Sequence, residues 1–290
     1  MKPLFEHIVI AGVGLIGGSL GIAGKKAGVF GKVTGVGRKT ANLELALEKG
    51  LVDQVSTNLA SVCHNADIFF AATPSESISN VCLEAAKYLP DQCVITDGGS
   101  VKKEIVVKIE KELPNNIHFI GGHPIAGTEK SGAGAAIETL FQNRYTILTP
   151  TKNTDAKAKS KVKEMWQTLG SDVRLMDPEE HDQAMAVISH LPHFAAYALV
   201  ETILGADPSG EIQRFVAGGF NDTTRIAASD PKMWRDIFSM NRKPLLKSIE
   251  QFEQSITSFK EAILNDEFDK LQNRLKLVKT ARKSMDDHCK

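Results

Sequence analysis

The stretch Ile8-Val9-Ile10-Ala11-Gly12-Val13-Gly14-Leu15-Ile16-Gly17 decides how this chain is read. Four apolar residues, the texture of a strand buried on both faces, run straight into G-x-G-x-x-G, and no charge appears from Ile8 to Gly24. In that setting Gly12 permits the tight turn, Gly14 lets the backbone approach a pyrophosphate, and Gly17 lets helix and strand pack closely. The helix that opens at Leu15-Ile16 then presents its first N–H groups to phosphate oxygens. The uncharged run is too short and too glycine-rich for a membrane span, and Glu6 spoils the basic flank of a signal peptide.

Outward from this turn the first half of the chain alternates. Strands are expected at His7–Ala11, Lys32–Val36, Asp67–Ala71, Cys93–Thr96, Ile117–Ile120 and Tyr145–Leu148, with a last short one at Asp172–Leu175. Helical spacing fits Leu15–Ala27, Ala41–Lys49, Ser77–Leu89, Val101–Leu113 and Asp155–Leu169. The expected class is α/β, a Rossmann-type doubly wound parallel sheet. After Asp177-Pro178 strand-like runs vanish, and Gln251–Ile263 and Phe268–Ala281 are long amphipathic patterns. The expected division is therefore 1–177, a dinucleotide-binding domain, and 178–290, an all-helical domain whose broad apolar faces suit a homodimer.

Composition narrows the classes. Lys plus Arg equals Asp plus Glu at 35 each, so no charge imbalance points to nucleic acid or an anionic membrane. Cys63, Cys82, Cys93 and Cys289 form neither C-x-x-C pairs nor a disulfide framework, and the natural setting is a reducing cytoplasm.

The end of the second strand reads Gly35-Val36-Gly37-Arg38-Lys39-Thr40. An acidic residue there would hold a ribose 2′-hydroxyl; Arg38 and Lys39 suit a 2′-phosphate instead, unless they are solvated loop charges. NADP is slightly favoured over NAD. Thr73-Pro74 and Asp97-Gly98-Gly99-Ser100-Val101-Lys102 also pass from strand to helix, at the edge where open parallel sheets bind ligands. Ser100 falls at an expected N-cap, which does not preclude a ligand contact. His123, between Gly121-Gly122 and Pro124, is expected on a stiff, uncrowded loop at the same edge. Its imidazole can accept a proton at neutral pH, or it is a structural histidine satisfied by a carbonyl.

Two polar clusters lie on apolar elements of the second half. His181-Asp182 and Ser189-His190-Leu191-Pro192-His193 could form a substrate-binding face, a set of satisfied core histidines or a metal site; no third strong ligand follows at helical spacing, so no metal is expected. Arg225 follows Gly218-Gly219-Phe220-Asn221-Asp222 and precedes Ile226, with Asp222 or a substrate carboxylate as its partner.

Taken together, Gly12–Leu20, Asp97–Lys102, Gly121–Gly132, His181–His193 and Gly218–Asn241 closely resemble the prephenate and arogenate (cyclohexadienyl) dehydrogenases, in the order found there and over nearly the whole chain. The resemblance implies a Rossmann-type domain followed by a helical dimerisation domain, with the site in the cleft between them. It implies oxidative decarboxylation of prephenate, or of arogenate, with hydride transfer to NAD(P) in tyrosine biosynthesis. His123 is similar to the family's catalytic histidine, and Ser100 to the serine that contacts the ring hydroxyl. Arg225 and His193 correspond to substrate-binding residues, and Glu129 to a carboxylate at the mouth of the site. Gly218 and Trp234 correspond to positions that approach a neighbouring subunit's site. Many NAD-using members carry an aspartate where this chain has Gly37, in line with the NADP reading. With the chain ending at Lys290, an appended chorismate mutase or ACT domain is not expected. Two other readings are a 3-hydroxyacid dehydrogenase of similar plan, which would use a lysine and leave His123 unexplained, and a non-catalytic dinucleotide sensor.

Overall fold

The computed structural model describes residues 2–287 apart from Glu129 and Pro208. Eight strands form one sheet: β1 Phe5–Ala11, β2 Phe30–Val36, β3 Gln54–Ser56, β4 Ile68–Ala71, β5 Val94–Asp97, β6 His118–Pro124, β7 Tyr145–Thr149 and β8 Asp172–Leu175. Their order is β3-β2-β1-β4-β5-β6-β7-β8, and every neighbouring pair is parallel except β6 and β7. The progression reverses between β1 and β4, so the crevice beyond their carboxyl ends is the binding position of a doubly wound sheet.

The helices α1 Leu15–Lys26, α2 Thr40–Glu48, α3 Ser75–Ala86, α4 Lys103–Glu112 and α5 Ala156–Thr168 cover the two faces. Alternation along the strands supplies both cores. Ile8, Ile10 and Phe70 face one side with Leu20, Phe141 and the fully buried Trp166, whose ring meets Phe70 and Phe141 edge-on at 6.0 and 5.0 Å. Val9, Ala11, Phe69 and Ile95 face the other with Ile78, Ile105 and Ile109. Each large side chain buried in this way stabilises the fold by about 1.5–3 kcal/mol before entropy is counted.

Two expectations needed correction. β3 is too short to carry an alternating pattern and was not anticipated. β6 runs on through Gly121-Gly122-His123-Pro124, each paired with β7, so His123 stands on a strand and not on a loop. The glycines are required by close packing: a Cβ on Gly122 would come within 2.8 Å of the Asp97 carbonyl oxygen, and one on Gly121 would collide with Thr149.

Beyond the sheet, α6 Pro178–Met185 and α7 Leu191–Ala206 form one continuous helix broken by a π-turn at Ala186–His190. Asp177 caps it, accepting from the Glu179 N–H at 2.7 Å, with Pro178 at the first helical position. Pro192 has no N–H to give, and the π-turn absorbs the break, with the Leu191 N–H donating to the Ala186 carbonyl. By length and composition this helix could also cross a membrane, although His181, Asp182 and His190 on it are buried in the protein. α8 Gly218–Thr224 and α9 Pro231–Met240 follow.

The chain forms two compact units, Met1–Arg242 and Lys243–Lys290. The second holds nearly all of α10 Arg242–Leu264 and α11 Phe268–Asp287. Their hairpin turns at Asp266, in the left-handed region with φ 56°, and Arg274 clasps it by donating to Ser258 Oγ at 2.8 Å with its guanidinium 3.8 Å from the Phe259 ring centre.

Candidate active site

The turn after β1 fits a dinucleotide. Gly12 has φ +93°, and a Cβ there would sit 2.5 Å from the Ala72 carbonyl oxygen at the end of β4. A Cβ on Gly17 would strike the Gly12 carbonyl, whereas Gly14 opens onto free space. Gly14 is the N-cap of α1 and offers no side-chain cap, so the first N–H groups of the helix, from Leu15 and Ile16 on, are left for an anion. Across the crevice Thr73 holds a buried hydroxyl without a hydrogen-bond partner, and Pro74 is the N-cap of α3. Arg38 and Lys39 are exposed where β2 leads into α2.

His123 stands beside this crevice on β6. Its Nδ1 lies 2.8 Å from His181 Nε2, and His181 Nδ1 lies 2.8 Å from Asp182 Oδ1. The Asp182 carboxylate also accepts the backbone N–H groups of Lys102 at 2.8 Å and Lys103 at 2.9 Å. It thereby caps α4 from 80 residues away in sequence. Ser100 was expected to be this cap; α4 begins at Lys103, three residues later, and Ser100 is left half-buried at the loop.

The hydrogen bonds fix the protons. Ionised Asp182 can only accept, so His181 carries its hydrogen on Nδ1 and accepts through Nε2. His123 must then carry its hydrogen on Nδ1, which leaves Nε2 with a lone pair. Burial holds both rings neutral: His123 is driven well below the usual histidine range by desolvation, then by His181, Lys102 and His190. His181 is lowered by desolvation as well, against the opposing pull of Asp182.

A buried ion pair braces the floor. Lys102 and Asp97, both fully buried, meet as a salt bridge. Lys102 Nζ also donates to the Gly122 carbonyl at 2.7 Å, and Asp97 accepts from Gly99 N at 2.9 Å and Gly122 N at 3.0 Å. Such a pair is tolerable only when further hydrogen bonds support both partners, and here each has at least one. It ties the residue before His123 to the loop that carries Ser100.

The helical residues close the other side. Asn241 donates to the Asp182 carbonyl at 2.7 Å and to His190 Nδ1 at 3.0 Å, so His190 keeps its hydrogen on Nε2, and burial lowers its pKa to about 4. His193 donates from Nδ1 to the Ser189 carbonyl at 2.9 Å, leaving Nε2 open. Its ring stacks on Trp234 at 3.6 Å and 22°, and the Arg225 charge helps to lower its pKa, after desolvation. Arg225 is exposed at the start of the turn after α8, and Gly218 opens α8 with no atom within 4 Å of a would-be Cβ. Glu129 lies outside the described residues. The structure thus brings His193, Arg225 and Trp234 together, and sets His123 among His181, His190 and Lys102. Among the described residues no group of three or more His, Cys, Asp or Glu could hold a metal ion. In the sequence Asp97, Lys102 and Asn241 stand only inside longer motifs, and the capping by Asp182 and the proton ordering by His181 emerge from the structure.

Residues 20–175 match the family model described as prephenate dehydrogenase, nucleotide-binding domain, and residues 177–277 the one described as prephenate dehydrogenase, dimerization domain. The chain is 33% identical to a cyclohexadienyl dehydrogenase of Zymomonas mobilis over 96% of both proteins. Its fold is similar to that of the Aquifex aeolicus prephenate dehydrogenase in complex with hydroxyphenyl propionate and NAD+, with TM-score 0.92, 38% identity and 97% and 98% of the two chains covered. It is also similar to the Synechocystis arogenate dehydrogenase, with TM-score 0.80, 32% identity and 96% and 99% covered. With both domain models matched in succession and close relatives aligned along almost their full lengths, the chain belongs to the prephenate dehydrogenase family.

Proposed function

We propose that this chain oxidatively decarboxylates prephenate, and arogenate as a second substrate, with His123 Nε2 as the base. The observation that carries the proposal is the chain Asp182–His181–His123, which leaves a neutral imidazole with its lone pair at the edge of a dinucleotide crevice. A nicotinamide dinucleotide, when bound, supplies the hydride acceptor. His123 takes the proton of the ring hydroxyl as its carbon becomes a carbonyl. The ring carboxylate leaves as carbon dioxide, its electron pair completes the aromatic ring, and the oxygen takes the proton back from His123 to become the phenol hydroxyl. Ser100, on the braced loop, orients the hydroxyl. Arg225 and His193 bind the side-chain carboxylate, Trp234 fixes the His193 ring, and Glu129 and Gly218 shape the mouth. Exposed Arg38 and Lys39 favour a 2′-phosphate, hence NADP over NAD. In this reading 1–177 binds the dinucleotide and 178–290 binds substrate and dimerises. The buried free thiols of Cys63, Cys82 and Cys93 suit a reducing cytoplasm. The test is turnover of prephenate and of arogenate with NADP and with NAD, followed by the absorbance of the reduced cofactor; no turnover with either substrate defeats the proposal.

Homodimerisation is supported by the apolar side chains that the helical part leaves in water. Ile188 and Phe215 are 67% and 82% exposed, a costly arrangement unless a second copy covers them. The Ile188→Asp, Phe215→Asp double variant should elute as a monomer where the wild type elutes as a dimer; a monomeric wild type at micromolar concentration defeats this.

A further inference from the structure

Asn42, on α2, stands outside the groups used so far, yet its one amide joins two parts of the site. Asn42 Nδ2 donates to the Val13 carbonyl at 2.7 Å, inside the glycine turn. Asn42 Oδ1 accepts from the Ala133 N–H at 2.9 Å, at the far end of the loop that leaves β6 just after His123 and Pro124.

The first bond orients a peptide. The Val13 carbonyl and the Gly14 N–H belong to one trans peptide plane and point in opposite directions. Holding the carbonyl against α2 aims the Gly14 N–H away from α2, and Gly14 is the open, uncapped start of α1. The second bond fixes the loop 125–132 at its exit, where Gly132 turns with φ +84° into the buried Ala133. A further tie lies close by: fully buried Ser19 of α1 accepts from the Ile137 N–H at 2.8 Å. The loop that begins at the base is therefore moored to the elements that hold the dinucleotide.

We propose that Asn42 is a positioning residue that couples occupancy of the dinucleotide turn to the affinity for substrate. The inference rests on the reaction proposed above. A ligand that fixes the Gly14 peptide also fixes the Val13 carbonyl, hence Asn42, hence Ala133 and the loop before it. Coupling of this kind is reciprocal, so substrate must tighten dinucleotide binding by the same factor.

Titration calorimetry with 4-hydroxyphenylpropionate as an unreactive probe tests this. Its Kd is measured with and without saturating dinucleotide. For the wild type the ratio should be about fivefold or more, the lower end of ordinary coupling. Asn42→Ala should bring the ratio close to one. Asn42→Asp keeps an acceptor for Ala133 and loses the donor to Val13. It should weaken dinucleotide binding, leave the probe's affinity alone unchanged, and also abolish the ratio. A residue that merely stabilised the fold would weaken both ligands in parallel and preserve the ratio; that result, or a wild-type ratio of one, overturns the proposal. Absence of prephenate turnover by the wild type would strike the reaction and leave the coupling measurement standing.

Discussion

Replacing Asp182 by Asn separates charge from tautomer in the histidine chain. The amide has two placements. With its oxygen at the Oδ1 position it keeps the bonds from His181 Nδ1 and Lys102 N and sets its NH2 against the Lys103 N–H. The reverse placement keeps Lys103, sets a donor against the Lys102 N–H, and donates to His181 Nδ1 once both histidines reverse their tautomers. Each placement loses one hydrogen bond, and only the first keeps the proton order from Asp182 to His123 Nε2. What disappears is the charge that supports His181 as His123 takes up the substrate proton. A hydrogen bond to a charged group stabilises by about 1.5–3 kcal/mol and one to a neutral group by about 0.5–1.5, a difference of about 1–1.5 kcal/mol. That converts to about a tenfold loss of kcat. KM should hardly move, because the change lies on the far side of His123 from the substrate. Steady-state assays with prephenate give both constants. A kcat within twofold of wild type would refute the relay. A loss of a thousandfold or more, of the kind produced when a supporting carboxamide reverses a catalytic histidine's tautomer, would mark the reverse placement.

Acidification should act on both activity and stability. Burial holds His123, the proposed base, neutral well below the usual histidine range, so the acid limb of kcat/KM should lie below the ordinary histidine value; a limb at or above 6.5 contradicts the burial argument. The folded-state values of His123, His181, His190 and His193 are all lowered, so the unfolded chain binds more protons below pH 6.5 and stability must fall there. The loss for each group begins near the unfolded value and ends at its folded one, about 4 for His190. That span represents about 3 kcal/mol for this single ring. Urea unfolding at pH 7 and pH 5 measures the loss, and equal stabilities would exclude it. At the cofactor end, a Cβ on Gly37 would come 3.3 Å from the mobile end of Leu43, a contact that a small shift relieves. Gly37→Asp should therefore fold, and should lower kcat/KM for NADP about tenfold or more while sparing NAD, because its carboxylate would face a 2′-phosphate. An unchanged cofactor ratio would show that Arg38 and Lys39 do not read that phosphate.

The fold was legible where the physics is local. The apolar run of β1 and the glycines behind it need no distant partner to be understood, and the same holds for Ser75–Ala86 and Ala156–Thr168. β3, with three residues, carries too little pattern. Gly121-Gly122-His123-Pro124 misled because glycine and proline usually mark loops; here the glycines admit the Asp97 carbonyl and Thr149, which only the assembled sheet supplies. The site was legible as a set of clusters and not as a network. No spacing rule connects Asp182 to the start of α4, 80 residues earlier, and Ser100 looked like the cap because it is the nearest hydroxyl. Lys102 five residues after Asp97 matches no helical pairing, since the two are joined through a loop.

The network also explains why this site uses histidines where a single base would serve the chemistry. Ser100, His123 and α4 belong to the sheet, while His181, Asp182, His190 and His193 belong to one long helix. Asp182 caps α4 and orients His181 with one carboxylate, so the bond that docks the helix on the sheet is the bond that sets the proton order. The π-turn then lets the same helix continue past Pro192 and present His193 with its Nδ1 hydrogen spent on Ser189. Were the helix to dock elsewhere, His123 would lose the acceptor of its Nδ1 hydrogen and His193 its place beside Arg225 and Trp234 together. The proposed base and the proposed carboxylate subsite are thus assembled by one packing event. A helix displaced as a body should lose kcat and substrate affinity in step, whereas Asp182→Asn, which leaves the docking bonds largely intact, should lose kcat alone.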